Sequence, residues 1–112
     1  MYANKLSVVF LGAAEELYKS LSFKHRSKIL GAIDFIQKGE FELVEVKTLK
    51  GPIKEFKVNQ YRFLFCVERS VIYILRGFIK KSMKTARNEI EMAEKMYIMV
   101  INQINKNVSK AL

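Results

Sequence analysis

The residues with chemistry to offer are mostly cationic. Glu55, Lys57, Arg62 and Arg76 fall within or beside apolar runs, and Lys47, Lys50, Lys54, Lys80, Lys81, Lys84 and Arg87 surround them along the chain. No Gly-rich phosphate loop follows a strand, no Cys/His cluster offers metal ligands, and no Ser-His-Asp set stands out. Chemistry built on these residues needs neither metal nor organic cofactor. RNA permits this, because its 2′-hydroxyl is a nucleophile already placed beside the scissile phosphate. The protein has only to take that proton, offset charge on the phosphorane and assist the leaving 5′-oxygen. Arginine forks clamp phosphate bidentately. Lys57, crowded by like charges, is a candidate base, with Glu55 either orienting it or serving as base itself. Arg62 is the foremost candidate for stabilising the transition state, with Arg76 beside it. The same pattern also serves proteins that bind polyanions without cleaving them.

The placement of charge supports a polyanionic partner. The 112-residue chain carries a net charge of +9. Residues 47–87 hold eleven Lys or Arg against only Glu55 and Glu68, while the remaining residues hold nine of each sign. All of the excess lies in one contiguous stretch, the electrostatic footprint of a nucleic-acid binder rather than of an evenly solvated surface. The length suits a single domain, 1–112, with a modest core, and the hydrophobic content of 50% predicts a folded chain. The single cysteine, Cys66, rules out an internal disulfide and suits a reducing compartment. Lys5 precedes a short apolar run, but Ser7 interrupts it and the apolar pattern continues through Leu17, Tyr18 and Leu21, unlike a signal peptide. No apolar run approaches the ~20 residues that cross a bilayer. These features predict a cytoplasmic protein without a membrane partner.

The elements that must position the candidates read as α+β. Lys5–Phe10 is strand-like, and Ala14, Leu17, Tyr18 and Leu21 recur at helical spacing. A second helix starts at the N-cap Ser22, carries the stripe Ile29, Ile33 and Ile36, and stops at Gly39. His25, the only histidine, falls in its first turn among Lys24, Arg26 and Lys28 and reads as a surface residue. A loop through "KTLKGP" leads to three strand-like runs, 53–58, 61–67 and 71–78, which form an antiparallel meander. A two-residue turn at Asn59-Gln60 sets Lys57 opposite Arg62, and a loop at 68–70 sets Arg62 opposite Arg76. Phe63, Phe65, Val67, Val71, Tyr73 and Leu75 then face the helices. Glu55, Lys57, Arg62, Leu64, Cys66, Ile72, Ile74 and Arg76 line a face that the helices leave open. Thr85 is expected to N-cap a last helix with the inner stripe Ala86, Ile90, Ala93, Tyr97, Val100 and Ile104. Its segment "MYIMVI" is apolar all round, so Met92, Met96 and Met99 become candidate contacts for a protein partner.

The succession "VKTLKG", "KEFKV", "YRFLF", "ILRGFIKKSMKT" and "EIEMA" resembles the phage-derived, HigB-like branch of the RelE/ParE toxin superfamily over roughly residues 5–97. The resemblance implies the RelE-like order of an N-terminal strand, helical hairpin, antiparallel β-meander and C-terminal helix. It implies a toxin of a type II toxin–antitoxin pair, commonly an endoribonuclease that cuts mRNA on the ribosome. A helix-turn-helix antitoxin would neutralise it, with Met92, Met96 and Met99 as the antitoxin contacts, and a toxin–antitoxin heterotetramer would bind operator DNA. Arg62 matches the family's motif arginine, and Lys80 and Lys81 match its paired lysines. The chain departs from the pattern at Lys57, where arginine is usual, at Arg76 in place of a histidine, and at Ala86 in place of a proline. Two other classes stay open on the residues alone: a non-enzymatic, ParE-like inhibitor of DNA gyrase, and a non-toxic nucleic-acid-binding prophage protein.

Overall fold

The computed structural model describes the backbone of residues 5–111 and the side chains of 5–107. β1 (Ser7–Phe10) leads into the hairpin of α1 (Gly12–Ser20) and α2 (Phe23–Gln37). A short 3-10 turn at Phe41–Leu43 precedes β2 (Val46–Lys50), β3 (Ile53–Val58), β4 (Tyr61–Glu68) and β5 (Val71–Ile79), and the long α3 (Arg87–Ala111) follows. The five strands form one sheet in the order β1-β5-β4-β3-β2, antiparallel except for β1 on β5. The α+β architecture is the expected one. No helix among the described residues is long and apolar enough to cross a membrane.

Local chemistry sets the boundaries of α2. The Ser22 hydroxyl accepts the His25 N–H at the N-terminus. At the other end Gly39, at φ 75°, lets its own N–H reach the Ile36 carbonyl while that of Glu40 reaches Phe35. This pairing satisfies the last carbonyls and ends the helix. Ile29, Ile33 and Ile36 are buried against the sheet, as their spacing predicts.

Three expectations need correction. The stretch 46–50 is a strand, not a loop: it is the outer edge of the sheet, where three exposed residues, two of them lysines, leave no apolar run of the kind that marks an inner strand. The turn between β4 and β5 takes only Arg69 and Ser70, both at positive φ, as a tight two-residue hairpin requires. Glu68 therefore pairs with Val71, and every residue from Val71 to Leu75 changes face relative to expectation. Ile72 and Ile74 join Phe56, Phe63 and Phe65 under α1 and α2, whereas Tyr73 and Leu75 pack with Leu64, Cys66 and Ile53. A bulge then inserts Leu75 as an extra residue, so Leu64 pairs with Arg76, and Arg62 pairs with Phe78 rather than Arg76. The bulge undoes the slip and returns Arg76 to the face of Leu64 and Arg62.

The third correction concerns coverage. The face opposite α1 and α2 is not open along its whole length. α3 lays Ile90, Ala93, Met96, Tyr97, Val100 and Ile104 over Ile53, Leu64, Cys66 and Leu75, which leaves only the charged end of that face uncovered. Of the expected inner stripe, Ala86 alone lies outside, being exposed and ahead of the helix.

Candidate functional site

Strand register assembles the charged end. Lys47, Glu55, Leu64 and Arg76 form one row across β2, β3, β4 and β5, and Lys57, Arg62 and Phe78 form the next. The predicted pairing of Lys57 with Arg62 across the Asn59-Gln60 turn is present, with Asn59 at φ 53°. Glu45, Lys47, Glu55, Lys57 and Lys80 line one depression of about 400 Å³ over these rows. Lys47 and Lys80 enter no ion pair among the described residues, so both charges are available to a ligand.

The other cations are committed to different degrees. Lys57 meets the Glu45 carboxylate at 3.4 Å. Arg76 donates from Nε to Glu89 Oε1 at 2.9 Å, in a pair that is four-fifths buried. Arg62 is only 5% exposed, and its Nη1 donates to the carbonyls of Asn59 at 2.6 Å and Tyr61 at 3.0 Å. The guanidinium thus ties the hairpin together from beneath the depression rather than projecting into it. Glu55 is buried as well and accepts a hydrogen bond from the Thr85 hydroxyl. Thr85 is therefore not the N-cap of α3. Ala86 takes that position, and its carbonyl accepts the Ile90 N–H.

The remaining candidates lie apart. Lys54 is on the opposite face, in register with Phe65. Lys50 pairs with Glu94 of α3 at 3.1 Å, and Arg87, nearly fully exposed, pairs with Glu91. Lys80, Lys81 and Lys84 line a second depression of about 500 Å³ between the end of β5 and the start of α3, and Lys80 lines both this one and the first. Met92 and Met99 are exposed, together with Ile98, whereas Met96 is part of the packing beneath α3. His25 is half-buried, with Nδ1 3.3 Å from the Tyr61 hydroxyl and its ring edge-on to the tyrosine. It is a packed residue more than a surface one. Glu45, Thr85 and Glu89 were not legible as site residues, because each acquires its role only through a partner distant in sequence.

The model of a family described as phage-derived, Gp49-like proteins matches residues 16–98, most of the chain. The chain belongs to the Gp49-like family. Comparison of this Gp49-like chain with curated proteins returned no match. Among solved structures it is similar to a chain of the toxin–antitoxin complex RelBE2 from Mycobacterium tuberculosis, with a TM-score of 0.51 and 14% identity. The match covers 68% of this chain and 99% of that one. At that identity the likeness is one of fold. The Gp49-like family match and the fold together support a member of the RelE superfamily, the level at which the succession of motifs is borne out.

Proposed function

We propose that this protein is the toxin of a type II toxin–antitoxin pair, and that it cleaves mRNA on the ribosome without a metal. The observation that carries the reading is the depression where Lys47 and Lys80, both outside any ion pair among the described residues, meet Lys57 and the buried Glu55. A phosphate seated there would be held by Lys47 and Lys80, with Glu55, which lines the same depression, as the candidate base for the 2′-proton. Thr85 orients the Glu55 carboxylate, and the buried Arg62, which has no acidic partner among the described residues, raises the positive potential from below. Lys81 and Lys84 extend the binding surface for the rest of the strand. Cleavage by this route leaves a 2′,3′-cyclic or 3′-phosphate end.

A helix-turn-helix antitoxin is the proposed protein partner, docking on the exposed Met92, Ile98 and Met99 of α3. The pair would bind operator DNA as a heterotetramer, and the toxin would act in the cytoplasm. One observation favours a second reading, inhibition of DNA gyrase by binding alone: both arginines of the charged face are engaged internally. Expression with and without the neighbouring reading frame tests toxicity. Primer extension on ribosome-bound mRNA, with chelator present, tests cleavage, and a supercoiling assay tests gyrase. Expression without growth arrest overturns the toxin reading. Arrest with intact mRNA and inhibited supercoiling replaces the nuclease with the gyrase inhibitor.

A further inference from the structure

The charged depression does not end at Lys57. Glu45 and Lys57 also line a third depression, of about 380 Å³, between α2 and the 3-10 turn. Its chemistry differs from that of the first. Phe35 and Leu43 are 36% and 56% exposed there, beside Gly31 and Ala32 of α2, with Lys28 and Lys57 as its cations. Apolar residues scattered singly over a surface need no explanation. An apolar floor that shares Glu45 and Lys57 with a cationic groove is a different feature.

Gly31 strengthens the case. A glycine in a helix interior costs about 1 kcal/mol against alanine, and a close neighbour is the usual reason for one. At Gly31 an added Cβ meets nothing within 4 Å. The missing side chain makes room for no part of this protein and leaves the floor open.

We infer that this depression holds a nucleobase of single-stranded RNA, stacked on Phe35, with the adjoining phosphate at Lys57. The inference rests on the RNA-binding reading of the charged site and extends it to a base subsite. An aromatic ring offers a face to any base, and the cations on either side match the flanking phosphates. Glu45, whose side chain is 74% exposed and paired with Lys57 at 3.4 Å, stands at the junction of the two depressions. An incoming phosphate takes its place on Lys57.

The test is fluorescence polarisation of a labelled uridine 12-mer with the full chain. Gly31→Leu fills the depression and removes a helix glycine, so it should fold at least as well as wild type yet bind on the order of tenfold more weakly. Phe35→Ala should weaken binding to a similar degree, Phe35→Trp should retain it, and Glu45→Gln should tighten it several-fold. An abasic 12-mer should bind wild type and Gly31→Leu alike. If Gly31→Leu binds the uridine strand as wild type does while Lys47→Ala/Lys80→Ala binds weakly, the base subsite is overturned and the RNA reading stands. If wild type binds no RNA, both fall.

Discussion

The two faces of the sheet are built from the same four antiparallel strands and have opposite fates. Under α1 and α2, Phe56, Phe63 and Phe65 are fully buried with Ile72 and Ile74, and the Phe56 and Phe63 rings stack at 5.1 Å. Under α3 the apolar packing stops partway: Leu64, Cys66 and Leu75 are dry, whereas Glu55, Lys57, Arg62 and Arg76 bring charge to the end of that face, where Glu89 of α3 pairs with Arg76. The covered face stores stability. On the other, repulsion among cations is offset by Glu45 and Glu89 and by backbone carbonyls, while Lys47 and Lys80 have no acidic partner among the described residues. The proposed site therefore lies where apolar cover ends.

Truncation on the covered face should have the largest effect. Phe63→Ala removes a fully buried ring and is expected to cost about 3–5 kcal/mol in urea unfolding, enough to depopulate the native state of a domain this small. A cost below about 1 kcal/mol would erase the distinction between the faces. On the open face, Lys47→Ala/Lys80→Ala should lower cleavage of ribosome-bound mRNA by about a hundredfold with unchanged thermal stability. It should also reduce the slope of log affinity against log salt by about 1.4, roughly 0.7 for each phosphate that a lysine no longer neutralises. Unchanged cleavage would remove these lysines from the site.

Arg62 belongs to both worlds, and its variants sharpen the comparison. Arg62→Ala strips the hairpin carbonyls of a donor and should cost about 1–3 kcal/mol of stability. With the guanidinium acting from beneath, cleavage should drop only about tenfold, less than the hundredfold or more typical of a donor placed directly on the developing charge. A larger loss at unchanged binding would mean that the guanidinium leaves the hairpin and clamps the phosphate itself. Gly77 separates packing from charge. An added Cβ would lie 2.9 Å from the Phe63 ring and 3.2 Å from the Ala14 backbone, so Gly77→Ala is expected to cost about 1–3 kcal/mol and to lower thermal stability without touching the lysines.

The smallest effect concerns Cys66, whose thiol is pushed up to about 12 from its ordinary 9.0 by burial and then by the Glu68 charge. The raised value means the buried thiol contributes stability fully below about pH 9, and that contribution is lost as pH climbs toward 12. Cys66→Ala should flatten the alkaline side of the stability profile. Native protein at pH 8 should also resist alkylation until it unfolds. Rapid labelling of the native state would mean that α3 does not cover Cys66.

Local signals in the chain were sufficient for much of this. The isoleucine stripe of α2, its Ser22 cap and its Gly39 stop depend on contacts within a few residues, and each reads directly. So does the Asn59-Gln60 turn that sets Lys57 against Arg62. The succession of motifs from "VKTLKG" to "EIEMA" was enough to point to the superfamily. The charge of residues 47–87 was plain as well, but not which cations are free. Lys50, Lys57 and Arg76 are neutralised by Glu94, Glu45 and Glu89, and none of these pairings is implied by spacing.

What the sequence determined by itself was therefore the helices and every strand but β2, the family resemblance and the concentration of positive charge, because capping, periodicity and net charge are local or additive properties. Only the tertiary structure decided which side of the sheet each β5 residue occupies. There, one residue fewer in the hairpin loop reverses the faces, and one inserted at the bulge restores them for Arg76. Tertiary packing also decided that α3 covers the apolar half of the second face and that Arg62 is drawn under the hairpin. Both depend on which groups are left unsatisfied once the strands pair: apolar side chains that need cover, and turn carbonyls that need a donor.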